Sequence, residues 1–107
     1  MTTKPGEVYL VDLGMAAKVR PMLIVSRKDD NAPRALSICA PVTTANRGSA
    51  YEVPLGKLPF LRESSFVNVQ GLQVVGHHDL MRKLGSISAS DLALVRKALA
   101  WSLDLSD

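Results

Sequence analysis

The chain has 107 residues, of which 47% are hydrophobic and 21% charged, and its formal net charge at pH 7 is +3. This length and composition predict one folded domain spanning residues 1–107 and exclude an intrinsically disordered chain. No apolar run approaches the roughly 20 residues that cross a bilayer, and the first residues form no signal segment, so we expect a cytoplasmic protein that does not enter a membrane.

Two β-rich segments open the chain. Glu7–Leu13 predicts the first strand, and Gly14–Lys18 is then a short connection. The uninterrupted apolar run Met22–Val25 predicts a second strand that is covered on both faces. Because proline lacks an N–H, we expect the ladder to begin after Pro21, with Arg20 at the mouth of the strand. A guanidinium there either binds a phosphate or carboxylate through two hydrogen bonds or is simply solvated beside the turn.

A third strand is predicted in residues 35–44, where apolar side chains recur at every second position. Pro41 predicts that this strand lies at a sheet edge or carries a bulge. Thr43 and Thr44 follow at its exit, where a hydroxyl either fits the pleat or bonds a phosphate oxygen. Cys39 is the only cysteine, which excludes an intrachain disulfide and predicts a buried structural thiol.

The middle of the chain carries three shorter strand patterns. Tyr51–Leu55 alternates apolar and polar residues, which is typical of a half-exposed strand, and a loop with apolar anchors follows. Phe66–Val69 and Leu72–Val75 are two further strand patterns. They are separated by Gln70-Gly71, where the glycine indicates a bulge or a close backbone approach.

Two adjacent histidines open the segment His77–Gly85, which we predict to form one helical turn closed by Gly85. Neighbouring side chains point in different directions on a helix or a strand, and no third ligand is apparent, so we expect no metal site. Histidine titrates near neutral pH, which leaves His77 and His78 open as a general acid or base.

The last element is predicted as a helix from about Ser88 to Leu103. Ser88 and Asp91 match a capping box, and Ile87 and Leu92 occupy the two staple positions around it. The helix carries two apolar stripes, which is more than a small sheet needs, so either the sheet wraps the helix deeply or one face meets a partner. The stripes are formed by Leu92, Val95 and Leu99, and by Leu94, Ala98, Trp101 and Leu105.

Short strands followed by one C-terminal helix predict a mainly β (α+β) fold, a small open barrel with an appended helix. At this point three segments in order, Gly6–Leu13, Arg20–Ser26 and Pro41–Thr44, resemble the MazF/PemK family of toxin endoribonucleases. Ser65–Gln70 and the leucine-rich terminal helix continue the similarity. The resemblance implies an SH3-like barrel of short antiparallel strands that forms a homodimer and is blocked by a cognate antitoxin. It also implies sequence-specific cleavage of single-stranded mRNA without a metal or other cofactor, generally leaving a cyclic phosphate.

The resemblance assigns catalysis to two residues by position. Arg20 matches the family's arginine before the proline, and Thr43 matches its threonine at the end of the third strand. A guanidinium can stabilise the charge that builds on phosphate oxygens during attack by a 2′-hydroxyl, and a threonine hydroxyl can orient the reacting groups. Gln70 matches a glutamine of the RNA-contact surface. The predicted RNA contacts are Gln70, Lys18, Thr44 and Ser65.

Departures from the family pattern keep a second interpretation open. The loop Gly14–Lys18 is shorter than the family's usual loop, and Leu72 and Val75 stand where the family commonly has a basic and an acidic residue. The general acid or base is therefore unassigned, with His77 or His78 as substitutes. The alternative is a catalytically degenerate binding module, either a repressor component held by its antitoxin or a protein that poisons DNA gyrase by contact.

Overall fold

The computed structural model describes residues 1–14 and 19–105. These residues form one antiparallel sheet of seven strands and a C-terminal helix, with short 3₁₀ turns at Val69–Gly71 and His77–Asp79. The strands and the helix are β1 (Glu7–Asp12), β2 (Val19–Ile24), β3 (Leu36–Thr43), β4 (Glu52–Gly56), β5 (Ser65–Asn68), β6 (Gln73–Gly76), β7 (Leu80–Ser86) and α1 (Ala89–Ser102).

The strand order is β4-β5-β3-β2-β1-β7, with β6 also paired to β3. The sheet is curved by this branching but not closed, because β4 and β7 end the path. The mainly β fold, a small barrel of short antiparallel strands with a C-terminal helix, is therefore confirmed. No helix formed by the described residues is both long and apolar enough to cross a membrane.

The strand β3 is the hub of the sheet, and the prediction that Pro41 places it at an edge or a bulge is wrong. β3 pairs with β2 on one side, through Cys39, Ala40 and Pro41. On the other side it pairs with β6 from Leu36 to Cys39 and with β5 from Val42 onward. Pro41 falls in the gap between those two partners, where its missing N–H removes no ladder bond on that side.

Pro21 also lies inside its strand, so the prediction that the ladder begins after it is wrong. Within β2, Pro21 stands opposite Leu10 of β1, and Arg20 stands opposite Val11. The residues of β2 that pair with β3 are Met22 to Ile24, so Pro21 pairs only with β1. On the side of β3, no hydrogen bond is lost through the missing N–H of Pro21. Arg20 is consequently a strand residue, and it is exposed.

The segment after β6 is mostly strand. His77–Asp79 forms a short 3₁₀ turn, and Leu80–Ser86 then continues as β7 along β1. The prediction that Gly85 closes a helical turn is wrong, since Gly85 lies in β7 opposite Val8. The ring of Phe60 packs directly on Gly85, in space that any Cβ would occupy.

The sheet buries apolar side chains on both faces, as the run Met22–Val25 predicted. Leu23 belongs to a cluster on the helix side that includes Val67 and Val95, while Met22 and Ile24 belong to a second cluster. Alternate residues of one strand therefore supply two cores. Cys39 is fully buried in the second cluster, which confirms the structural thiol, and burial raises the pKa of the thiol to about 11.

The helix begins as predicted. The Ser88 hydroxyl accepts a hydrogen bond from the Asp91 N–H at 3.1 Å, and Ile87 and Leu92 meet over Gly6. Val95 is fully buried in the core, whereas Leu94 and Trp101 on the second stripe are 52% and 55% exposed. The sheet therefore does not wrap the helix. Of the second stripe, Ala98 packs against the core, whereas Leu94, Trp101 and Leu105 are exposed in the isolated chain.

Candidate active site

A cleft of about 380 Å³ opens beside the ends of β2 and β3. Its floor is apolar and includes Met22, Pro41 and Val42, which also belong to regular strands. Polar side chains surround this floor. They are Arg20, Thr43, Arg47, Glu52, Asn68 and Gln73.

Arg20 and Thr43 line the same cleft. Met22 and Pro41 form the last pair between β2 and β3, and Arg20 and Thr43 each lie two residues beyond it. Because side chains alternate between faces, residues two positions further along both strands point to the same face as Met22 and Pro41. The recorded β2–β3 pairs stop at Met22 and Pro41, so the strands separate there and leave the cleft between them.

The backbone of each of these two residues pairs with a further strand. Arg20 pairs with Val11 on β1, and Thr43 pairs with Phe66 on β5. The Thr43 hydroxyl oxygen accepts a hydrogen bond from the Ala45 N–H at 3.0 Å. This bond uses a lone pair of the oxygen and leaves the O–H free to donate into the cleft.

The opposite wall contains two residues that the sequence did not single out, Arg47 and Glu52. The Glu52 carboxylate accepts hydrogen bonds from the backbone N–H groups of Arg47 and Ser49 and from the Ser49 hydroxyl, at 3.0–3.1 Å. The Ser49 N–H, and after it the Arg47 N–H, lowers the pKa of the Glu52 carboxyl below its ordinary value. The sequence signal was a serine three residues before a glutamate, which is too common to be specific.

Two amides complete the cleft. Asn68 ends β5, and its side-chain oxygen accepts from the Gln70 N–H at 3.0 Å, opening the 3₁₀ turn Val69–Gly71. Gln73 lies on β6 opposite Cys39 and extends into the cleft. Gln70 itself is exposed and does not line the cleft, because the tight turn redirects side chains that a continuous strand would keep in register.

The other predicted RNA contacts lie elsewhere. Thr44 is exposed just after β3 but is not a lining residue of this cleft. Ser65 is 3% exposed, and its hydroxyl donates to the Glu63 carbonyl at 2.9 Å. Lys18 lies outside the described residues.

Neither histidine reaches the cleft. The His77 Nε2 lies 2.8 Å from the Ser37 hydroxyl, which is in turn 2.6 Å from the Thr3 hydroxyl. His78 is exposed, with its Nε2 3.5 Å from an Asp79 carboxylate oxygen. Residues 1–14 and 19–105 contain no cluster of three or more His, Cys, Asp or Glu side chains that could hold a metal ion.

A curved antiparallel sheet with an arginine-lined cleft at the ends of its central strands defines the class, a small barrel-like β protein suited to binding an anion. The family model for the PemK-like, MazF-like toxin of type II toxin-antitoxin systems matches residues 4–103. The chain therefore belongs to this toxin family, as the resemblance in sequence predicted.

Individual relatives agree with the family match. The chain is 32% identical to endoribonuclease MazF6 of Mycobacterium tuberculosis over an alignment 114 positions long, gaps included, which covers 98% of this chain and 100% of the relative. It is 30% identical to endoribonuclease MazF3 of the same species over 95 residues, covering 89% and 92% of the two chains.

Solved structures share the fold along almost the whole chain. An endoribonuclease in complex with its cognate antitoxin from a mycobacterial species superposes with a TM-score of 0.85 at 28% identity, covering 98% of both chains. The Mycobacterium tuberculosis toxin MazF-mt6 superposes with a TM-score of 0.82 at 30% identity, covering 94% of this chain and 99% of the toxin.

Proposed function

We propose that this chain is the toxin of a type II toxin–antitoxin system and a metal-independent endoribonuclease that cleaves single-stranded mRNA. The scissile phosphate binds in the cleft, between the side chains of Arg20 and Thr43. One observation carries the proposal. The sequence resemblance assigned these two residues separately, and both line one cleft, each two residues beyond the last β2–β3 pair. The relatives reported above are named endoribonucleases, which favours an enzyme over the alternative binding module.

The chemistry follows from the groups that face the cleft. The 2′-hydroxyl oxygen attacks the adjacent phosphorus and loses its proton to solvent, and a new O–P bond closes a 2′,3′-cyclic phosphate. The bond to the 5′-oxygen breaks, and this oxygen takes up one proton from solvent to leave as a 5′-hydroxyl. Arg20 stabilises the negative charge on the phosphate oxygens. The Thr43 hydroxyl oxygen already accepts a hydrogen bond from the Ala45 N–H through one lone pair, and its O–H donates to one of these phosphate oxygens.

The remaining polar groups bind the substrate. Arg47 adds a second cation for the phosphate backbone, and the Asn68 and Gln73 amides can bond base edges or phosphate oxygens. A single strand is the expected substrate because its unstacked bases expose those edges. Gln70 and Thr44 are exposed and stay predicted contacts, whereas the burial of Ser65 leads us to omit it from the contact set.

The test is cleavage of a long single-stranded RNA in EDTA by the parent and by variants. Arg20→Ala should slow cleavage roughly a hundred- to a thousandfold, as the loss of a pre-organised oxyanion donor does. Arg20→Lys should also be slow, because a point charge cannot reproduce the planar fork. Thr43→Val should be slow, and Thr43→Ser should retain much of the rate. Arg20 is exposed, so its variants should melt at nearly the temperature of the parent.

The matched control is Arg27→Ala, which removes another exposed arginine that does not line the cleft. It should cut like the parent. A folded Arg20→Ala protein that cuts at the parent rate would refute the site. A parent that cuts nothing would refute the enzyme, and the binding-module alternative would take its place.

We further propose that the toxin works in the cytoplasm, where mRNA is found, and forms a homodimer to which an acidic, disordered segment of an antitoxin binds. The exposed stripe of α1, with Leu94 and Trp101 half exposed, supports burial against a second copy. The net charge of +3 supports an acidic ligand whose affinity falls as salt rises. Light scattering should give twice the chain mass of 11.5 kDa, and a monomer mass at micromolar concentration would contradict the dimer.

A further inference from the structure

The loop between β3 and β4, residues 44–51, is fastened at both ends by side chains that line the cleft. At its start, the Thr43 hydroxyl accepts from the Ala45 N–H. At its end, both carboxylate oxygens of Glu52 accept from the Arg47 N–H, at 3.0 and 3.1 Å. One of these oxygens also accepts from the N–H and the hydroxyl of Ser49, at 3.0 and 3.1 Å.

The C-terminal end of the loop is anchored to the body of the protein as well. The Tyr51 carbonyl accepts from the Val69 N–H at 2.9 Å, and the Tyr51 ring lies 4.8 Å from the Trp101 ring, centroid to centroid. The Glu52 N–H donates to the Ser49 carbonyl at 3.2 Å. Between these anchors, the Glu52 carboxylate holds the Arg47 N–H itself, while the Asn46 side-chain oxygen accepts from the Gly48 N–H at 2.8 Å.

A carboxylate in this cleft needs an explanation. The cleft holds two arginines, and a free negative charge beside them would repel an RNA phosphate and weaken the attraction of Arg20 for it. Glu52 instead directs its charge into the loop, where N–H groups surround it.

A base role for Glu52 fits this environment poorly. Three loop contacts fall on its Oε1, from the Arg47 N–H, the Ser49 N–H and the Ser49 hydroxyl, and these donors, the Ser49 N–H first, lower the pKa of its carboxyl. A carboxyl with a lowered pKa is a weaker proton acceptor than an ordinary one.

We infer that Glu52 is a positioning residue for RNA binding, because its carboxylate holds the β3–β4 loop so that Arg47 faces the substrate phosphate in the same cleft as Arg20. This inference rests on the proposed endoribonuclease function. Glu52 acts through Arg47, and it touches neither the substrate nor the reacting atoms.

The first arm of the test needs no RNA. Glu52→Gln removes the negative charge and one acceptor oxygen, and the neutral amide oxygen that remains is a weaker acceptor for the Arg47 and Ser49 N–H groups. Hydrogen exchange of these two amides, followed by NMR, should become severalfold faster, while exchange in the core of β3 stays unchanged. Glu63→Gln, at an exposed glutamate outside the cleft, should change neither amide. Unchanged exchange of both amides in Glu52→Gln would overturn the inference.

The second arm separates binding from chemistry. Glu52→Gln should raise KM for RNA roughly tenfold with little change in kcat, the size expected for losing one charge-assisted contact. Arg47→Ala should raise KM by a similar factor. The double variant Glu52→Gln/Arg47→Ala should have the same KM as Arg47→Ala alone, because Glu52 acts through Arg47.

Three outcomes of this arm would overturn the inference. They are an unchanged KM in Glu52→Gln, losses that multiply in the double variant, or a fall in kcat together with loss of the acidic limb of the pH–rate profile, which would make Glu52 a general base. Failure of the proposed function is distinct, because then the parent itself cuts no RNA and this inference falls with it. Melting curves of each variant check that the fold is retained.

Discussion

A substitution at Gly71, which does not line the cleft, should displace Pro41, which does. Gly71 lies in the 3₁₀ turn Val69–Gly71, and a Cβ placed there would stand 2.9 Å from Cγ and 3.2 Å from Cδ of Pro41. The same Cβ would be 3.4 Å from the amide nitrogen of Asn68. The Asn68 distance is an ordinary contact, whereas the Pro41 distances are too short, and Pro41 lines the cleft, so Gly71→Ala should displace the cleft floor without replacing any residue that faces RNA.

The size of the effect follows from these distances. Carbon atoms pack best at about 3.5–4.0 Å, so the turn and the rigid Pro41 ring must separate by at least about half an ångström. Overpacking of this kind costs about 1–3 kcal/mol, and the lost freedom of the unfolded chain offsets about 0.4–1 kcal/mol of it. The net loss is about 1–2 kcal/mol. With an unfolding entropy of about 2.1 cal/mol/K per residue, Tm should fall by about 4–9 °C.

Gly76→Ala is the matched control. Its Cβ would stand 2.8 Å from a carbon of the His78 ring, but that side chain is 83% exposed and can rotate away. Neither glycine has a left-handed φ, so backbone strain does not distinguish the two variants. The free energy of unfolding of Gly76→Ala should therefore differ from that of the parent by less than about 1 kcal/mol, in either direction.

Thermal melting and RNA cleavage, measured on the parent and on both alanine variants, test this reasoning. Gly71→Ala should cut RNA at least about tenfold more slowly well below its Tm, since small misplacements of binding groups are costly to rate. Gly76→Ala should cut like the parent. The steric argument is refuted if Gly71→Ala melts like Gly76→Ala. The position of the cleft is refuted if Gly71→Ala is destabilised but keeps the full rate.

Two further predictions concern stability. Ser88→Ala removes the hydroxyl that accepts a hydrogen bond from the Asp91 N–H, so it should lower the free energy of unfolding by about 1 kcal/mol and Tm by about 4 °C. Ser88→Asp should retain the cap. An unchanged Ser88→Ala melting curve would contradict this helix start. Burial raises the pKa of Cys39 from 9.0 to about 11, so the unfolded chain ionises first and the parent should lose stability as pH rises from 9 toward 11. Cys39→Ala should lose less over that range in urea titrations, and an equal loss in both proteins would show that the thiol does not contribute.

Several elements of this fold were predictable because their signals are local, whereas strand β7 was predicted as a helical turn. The helix start depends on Ser88, Asp91 and their immediate neighbours, and a capping pattern needs no information from the rest of the chain. The strand β2 was recognisable from four consecutive apolar residues that supply two cores. Burial of Cys39 followed from its apolar flanks in the same way.

The two prolines were misplaced because a strand pattern does not reveal which neighbours a strand has. Pro41 is tolerated in the central strand because the partner changes there from β6 to β5. Pro21 is tolerated because the β2–β3 pairs begin only at Met22. Both facts belong to the arrangement of the sheet, which no local rule about proline contains.

Some residues of the candidate site were also predictable from local sequence, and others were not. The sequence by itself determined the fold class and the family resemblance and predicted the pair Arg20 and Thr43, since each depends on short segments in a fixed order. Only the tertiary structure decided that Glu52 and Arg47 complete the cleft and that the histidines lie outside it. The physical reason is that strand register and one hydrogen-bonded loop, both set by contacts between distant parts of the chain, determine which side chains share a face.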